Sequence, residues 1–259
     1  MGQVSTLPHR FGKRYEMWLV LCSSTDTSAL WAYQGLRQLG LAPLELVTVE
    51  DLACSSRWEH RLSGNDAQIR ITLANGRIID GAQVRGVLNR LHMPSALTVQ
   101  QAIPSDQEYA QAEMMAFYLS WLNALPGVVI NRPLPLGLCG AWLHPSEWSL
   151  HASRAGLRTP VYRQSGRDGE MGMGQNKSTA KRLITLRDQV FGGTVPGDVA
   201  QACGRLAADV GAQMLGIDLV ADAVSPWTFA GAGPSPDLRP GGLPLLRSLA
   251  QILTQGAQS

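Results

Sequence analysis

Between Tyr15 and Val49 the chain runs through an apolar stretch, an amphipathic stretch, a glycine and a second apolar stretch, and that order narrows the fold before anything else is considered. The apolar run ending at Cys22 is closed by Ser23-Ser24-Thr25-Asp26, which predicts a buried strand entering a helix N-cap. Ala29, Leu30, Tyr33, Leu36 and Leu39 then keep helical spacing, and Gly40 supplies a C-terminal stop. Pro43 to Val49 reads as the next strand. Strand, helix and strand in this order form a βαβ unit, so an α/β fold is expected.

Further along, Ala67 to Leu73 and Ile78-Ile79 flank Asn75-Gly76, a strong hairpin signal, because a tight turn needs positive φ where Asn and Gly tolerate it. Val84 to Leu91 is a further strand, Gln107 to Leu125 a helix stopped by Pro126-Gly127, and Val128 to Pro133 a strand. Residues 134–144 read as a linker. A helix from Pro145 to about Ala155, a strand from Thr159 to Tyr162 and a polar, Gly-rich loop over 164–180 follow. Arg182 to Phe191 suits a strand and turn, Asp198 to Gly211 a helix, Met214 to Val220 and Pro226 to Phe229 strands, and Leu243 to Gln255 a closing helix.

The charge balance is nearly even, at formal net +2, with no basic stripe of the kind that holds a nucleic-acid backbone. No apolar run approaches the roughly 20 residues that span a bilayer. Charged residues make up 16% of the chain against about 25% in ordinary soluble proteins, which favours covered faces or partners. Cys22, Cys54, Cys139 and Cys203 are scattered without a CxxC pair, so four buried, reduced thiols are expected. The basic residues before Trp18 to Cys22 imitate a signal segment, but Glu16 interrupts them; Met1-Gly2-Gln3-Val4-Ser5-Thr6 matches only the loose myristoylation pattern, and residues 1–15 are read as a disordered tail.

Two Asn-Arg pairs, Asn89-Arg90 and Asn131-Arg132, fall at strand exits, where open α/β sheets hold ligands. Arg90 and Arg132 are therefore binding candidates, with pairing to carboxylates or loop carbonyls the plainer alternative. His144, Glu147 and His151 share a helix face and offer metal-competent atoms, although Pro145 leaves the direction of His144 open and Glu147 also suits the helix dipole. Gly169 and Gly174 have P-loop separation, but Gln175 and Asn176 intrude before Lys177-Ser178, which breaks the backbone curl around a phosphate. Gly-x-Ser-x-Gly is absent, leaving no Ser-His-Asp reading.

From Gln107 onward the features also resemble a known family. Asn131-Arg132-Pro133, the helix closing in Ala155-Gly156-Leu157-Arg158-Thr159-Pro160, and Leu215-Gly216-Ile217-Asp218-Leu219-Val220 with Trp227-Thr228-Phe229 and Pro234-Ser235-Pro236-Asp237 resemble ATP-grasp peptide ligases of the ribosomal-modification type. The resemblance implies a Rossmann-like pre-ATP-grasp domain over 16–133 and a shortened ATP-grasp-like α+β domain over 134–259. It also exposes departures. Such ligases place lysines on the triphosphate and carboxylates on magnesium, because acyl phosphate formation concentrates negative charge. Here no lysine lies between Lys13 and Lys177, and only a short polar stretch separates Tyr162 from Arg182. The family's W-x-F-L-E-V-N-P-x-P run is replaced by Trp227-Thr228-Phe229-Ala230-Gly231-Ala232-Gly233-Pro234-Ser235-Pro236, with Gly231 and Gly233 where metal ligands would stand. Only Asp218 persists.

The expectation is thus a truncated, non-catalytic ATP-grasp relative in the cytoplasm, with no cofactor, no resident metal, no nucleic acid and no membrane. It would bind a partner protein or precursor peptide in a bacterial peptide- or natural-product-modifying pathway, as a homodimer or hetero-complex, with Arg90, Arg132, Asp218 and Arg239 as candidate contacts. The alternatives are an ATP-dependent carboxylate–amine ligase using Lys177, Lys181, Arg182 and Asp218, and a small-molecule binder or metal-dependent enzyme using Arg90 and Arg132 or the His144 face. The seven tryptophans are either interface anchors or core, and Trp18, Trp121 and Trp227 fall on predicted apolar faces.

Overall fold

A computed structural model describes residues 16–64, 66–99, 103–162, 180–220 and 227–255. The tail over 1–15, the P-loop-like stretch and Lys177 lie outside the described residues. Strand β1 (Met17–Cys22), helix α1 (Thr27–Gln38) and strand β2 (Leu44–Thr48) form the expected βαβ unit, with β1 and β2 parallel. Strand β6 (Val84–Asn89), helix α3 (Gln107–Asn123) and strand β7 (Val128–Ile130) extend it to a parallel sheet in the order β2-β1-β6-β7. The short helix α2 (Val49–Ala53) and an antiparallel sheet of β3 (Arg57–Ser63), β4 (Asp66–Thr72) and β5 (Ile78–Asp80) are inserted ahead of β6. The hairpin between β4 and β5 turns at Gly76, whose φ of +81° explains the glycine.

The second half carries helix α4 (Pro145–Arg154), strands β8 (Ala180–Leu186) and β9 (Gln189–Phe191), helix α5 (Gly197–Asp209), strands β10 (Met214–Val220) and β11 (Thr228–Gly233), and helix α6 (Gly242–Gln255). Its four strands pair antiparallel in the order β11-β10-β8-β9. The expected strand over Thr159–Tyr162 does not form. Only Arg158 bridges to Thr228, and Pro160 lacks the N–H that would continue a ladder.

Period-two alternation divides β1 between two cores. Trp18, Val20 and Cys22 face one, with α1, α6, Ile184, Leu186 and Met214; Leu19 and Leu21 face the other, with α3 and the inserted sheet. Burial on both faces is why this strand reads as an unbroken apolar run. A third core joins α4 and α5 to the opposite face of the second sheet through Leu183, Leu215, Ile217 and Leu219. Helix α6 therefore packs on the parallel sheet from which it is most distant in sequence. Trp18 Nε1 donates to the Leu253 carbonyl at 3.0 Å, and a Cβ at Gly86 would lie 2.8 Å from that same oxygen, so only glycine admits α6 here.

Cys22, Cys139 and Cys203 are buried and unpaired, and burial pushes their thiols up to about 12, 11 and 11 respectively. Cys54 departs from expectation: it follows α2 at the surface and is exposed. Among the described residues no helix is long and apolar enough to cross a membrane.

Candidate functional site

The loops leaving β1 and β6 diverge at the carboxyl ends of the parallel strands and leave a cleft of about 580 Å³. Ser23, Thr25, Asp26, Arg90, His92 and Ser235 line it. Asp26 caps α1 by accepting from Ala29 N at 2.9 Å, which turns its carboxylate toward the sheet exit. Arg90 meets it there: Nε lies 2.7 Å from Asp26 Oδ2, Nη2 lies 3.3 Å from Oδ1, and Nη1 donates to the Pro236 carbonyl at 2.9 Å. The arginine side chain is only 4% exposed, so this charge is held inside the protein by a bidentate partner. Burial alone would raise the Asp26 pKa, but the Arg90 hydrogen bond and charge, with the helix N–H groups, outweigh it and hold the carboxyl below its usual range. Burial, then the charge of Arg90, hold the His92 imidazole below the usual histidine range.

Each neighbouring asparagine of the two Asn-Arg pairs ties the halves together. Asn131 sits at φ 58° and is buried. Its amide donates to Met214 O at 2.8 Å and Pro234 O at 2.9 Å, while its oxygen accepts from Met214 N at 2.9 Å. Asn89 donates to Asn131 O at 2.9 Å and Leu138 O at 2.6 Å. Along the tail after β11, Asn131 thus holds Pro234, Arg90 holds Pro236, and Ser28 Oγ accepts from Leu238 N at 2.7 Å. Arg132 is engaged elsewhere, donating to the carbonyls of Asn123, Leu125 and Gly127 and closing the turn from α3 into β7.

Asp218 lies on β10 in a separate depression of about 180 Å³ with Arg182, Pro236 and Asp237. Its register partners are Arg182 on β8 and Gly231 on β11, and Arg182 Nε approaches its carboxylate to 3.6 Å. Asp237 is gripped by Arg239 at 2.8 Å; that hydrogen bond is the main reason its carboxyl titrates below the usual range. Lys181 Nζ donates to Thr194 O at 2.6 Å and sits 4.9 Å over the Trp227 ring. Magnesium at a phosphate site is usually held by one or two carboxylates, by waters and by the phosphates themselves. Among the described residues, Asp218 and Asp237 are the carboxylates of this depression, and each already faces a guanidinium, Arg182 and Arg239 respectively.

The helix face with metal-competent atoms is occupied by local work. His144 and Glu147 form the reciprocal N-cap of α4, and His151 Nδ1 lies 2.6 Å from Asp209 on α5. No cluster of three or more metal-competent His, Cys, Asp or Glu side chains occurs among the described residues. Of the candidates, the structure brings Arg90 to the cleft and Asp218 beside Arg182, while Arg132 and Arg239 each serve their own neighbourhood. His92 and Ser235, which complete the cleft, carried no sequence pattern.

No family profile and no curated protein matches the chain in sequence. Solved structures match its fold. The macrocyclase MdnC bound with precursor peptide MdnA, from Microcystis aeruginosa MRC, aligns with TM-score 0.70 and 13% identity over 93% of this chain and 100% of that one. A RiPP-associated ATP-grasp ligase of Chryseobacterium gregarium, in complex with ADP and a leader and core peptide, gives 0.62 and 8% over 93% and 96%. The ATP-grasp ligase PsnB, complexed with minimal precursor, Mg and ADP, gives 0.63 and 15% over 92% and 98%. The chain has the fold of these ATP-grasp peptide ligases.

Proposed function

We propose that the chain is a shortened, non-catalytic ATP-grasp relative that binds a partner enzyme or precursor peptide in a peptide- or natural-product-modifying pathway. The observation that carries this reading is the setting of Asp218, flanked by Gly231 on β11 and Arg182 on β8. A guanidinium 3.6 Å from the carboxylate supplies its countercharge, neither neighbouring strand position offers an oxygen ligand from a side chain, and Asp237, the other carboxylate of the depression, is held by Arg239. Arg90, held at the cleft, and Arg239, at the exposed end of the tail, are the contacts we assign to binding, with Arg132 and Asp218 as supports. The reading carries a division of the chain after Pro133, a cytoplasmic location, and assembly as a homodimer or hetero-complex. It requires neither cofactor nor resident metal.

A second reading, an ATP-dependent carboxylate–amine ligase, is favoured by the fold shared with the ligases above and by two carboxylates, Asp218 and Asp237, lining one depression with Arg182. Thermal unfolding of the full chain with and without millimolar ATP–Mg separates the two. A ligand at 100 times its dissociation constant adds about 2.7 kcal/mol of stability. The scaffold reading predicts an unchanged midpoint; a nucleotide-specific rise that Asp218→Asn removes favours the ligase.

A further inference from the structure

Away from the cleft, an open groove of about 910 Å³ runs between α5 and the turn joining β8 to β9. Its floor is unusual for the surface of a helix. Ala200, Gly204 and Ala208 stand one turn apart on α5, so three successive outward positions carry at most a methyl group. Gly204 is the informative one. Glycine in a helix interior is less stable than alanine, and it normally persists where a neighbour crowds the missing Cβ or where φ is positive. Neither applies: a Cβ at Gly204 would meet nothing within 4 Å. By contrast Gly211, at the other end of the groove, adopts φ +66° and is required by the turn that ends α5. Nothing described within the chain needs the space above Gly204.

The rim supplies the chemistry. Arg187 and Arg205 both line the groove, and among the described residues neither is paired with a carboxylate. Arg187 Nη1 donates to the Gln255 side-chain oxygen and Arg205 Nε to the Ala155 carbonyl, so each guanidinium is anchored by a neutral acceptor. Asp188 is the single acid among the lining residues, leaving the rim net positive. Val190 adds an apolar wall.

We propose that this groove docks a peptide segment that lays an apolar side chain over Gly204 and sets acidic side chains against Arg187 and Arg205. The inference adds a location to the binding role assigned above and rests on that role only for the partner being a polypeptide. Close approach to a helix backbone is what a floor of methyls and one glycine permits, and two arginines of one sign favour an acidic flank.

The test uses a displayed library of random dodecapeptides selected on the full-length chain, each recovered peptide then being measured by fluorescence polarisation. Recovered sequences are expected to combine apolar with acidic residues, to bind at least tenfold more weakly to Gly204→Leu, and to weaken similarly with Arg187→Asn, a substitution suited to the left-handed backbone there (φ 54°). Cooperative melting of both variants shows that the fold persists. Recovery of no binding peptide, of peptides without acidic bias, or of peptides indifferent to both substitutions overturns the groove. A concentration-dependent dimer that Gly204→Leu disperses also overturns it, by making the occupant a second copy. ATP–Mg stabilisation measured on the same samples bears on the scaffold reading alone, so the two failures are distinguishable.

Discussion

Asn131 makes three side-chain hydrogen bonds across the junction, as many as Arg90 makes at the cleft. One side chain satisfies both backbone groups of Met214 and the carbonyl of Pro234, from a left-handed backbone that asparagine tolerates better than most residues. Asn131→Ala leaves three buried backbone groups without partners, at about 1–3 kcal/mol each, so a loss of at least ~3 kcal/mol in urea unfolding is expected. A loss below about 1 kcal/mol contradicts the assigned role. The Asp26–Arg90 pair makes a pH-dependent prediction. The folded pKa of Asp26 lies below its ordinary 3.8, so the pair's stabilisation is complete above that value and is lost as pH falls through the lower folded pKa. The stability gap between the natural chain and Asp26→Asn therefore narrows in acid below about pH 4. A gap that stays constant from neutral pH down to pH 2 refutes it.

Among elements, those with a single dominant period were legible in the residues. The two-sided burial of β1 wrote an unbroken apolar run, and α1 wrote its helical spacing between an N-cap aspartate and Gly40. Strand β3 was not legible, because Arg57, Glu59 and Arg61 alternate with Trp58, His60 and Leu62 and dilute any apolar signal. The Asn131–Met214 bond is illegible for another reason: it joins residues 83 positions apart, and no local pattern announces it. Arg90 was placed at the cleft by its strand exit alone, whereas Arg132 shared that signal and closes a turn instead. Two element-level predictions follow from glycines with opposite surroundings. Gly86→Ala forces a methyl against Leu253 O and the Trp18 ring, so about 1–3 kcal/mol is lost and α6 becomes the first helix to exchange its amide hydrogens. Gly204→Ala meets nothing and should stabilise the isolated chain by roughly 0.5–1 kcal/mol. Destabilisation by the second substitution means that α5 is crowded from within, contrary to the structure.

At the scale of the whole molecule, the parallel sheet and the antiparallel sheet are joined through α6, the tail after β11 and Asn131, giving the fold shared with ATP-grasp peptide ligases. Folds of this kind host a chemistry only where the site residues supply it. Asp218 beside Arg182, Lys181 over Trp227, and glycines at 231 and 233 are the residues on which the scaffold reading rests. The most direct measurement is release of γ-phosphate from labelled ATP by the purified full-length chain, with magnesium and a pool of acidic peptides present. The scaffold account predicts release no faster than in buffer alone; peptide-dependent release that Asp218→Asn abolishes would contradict it.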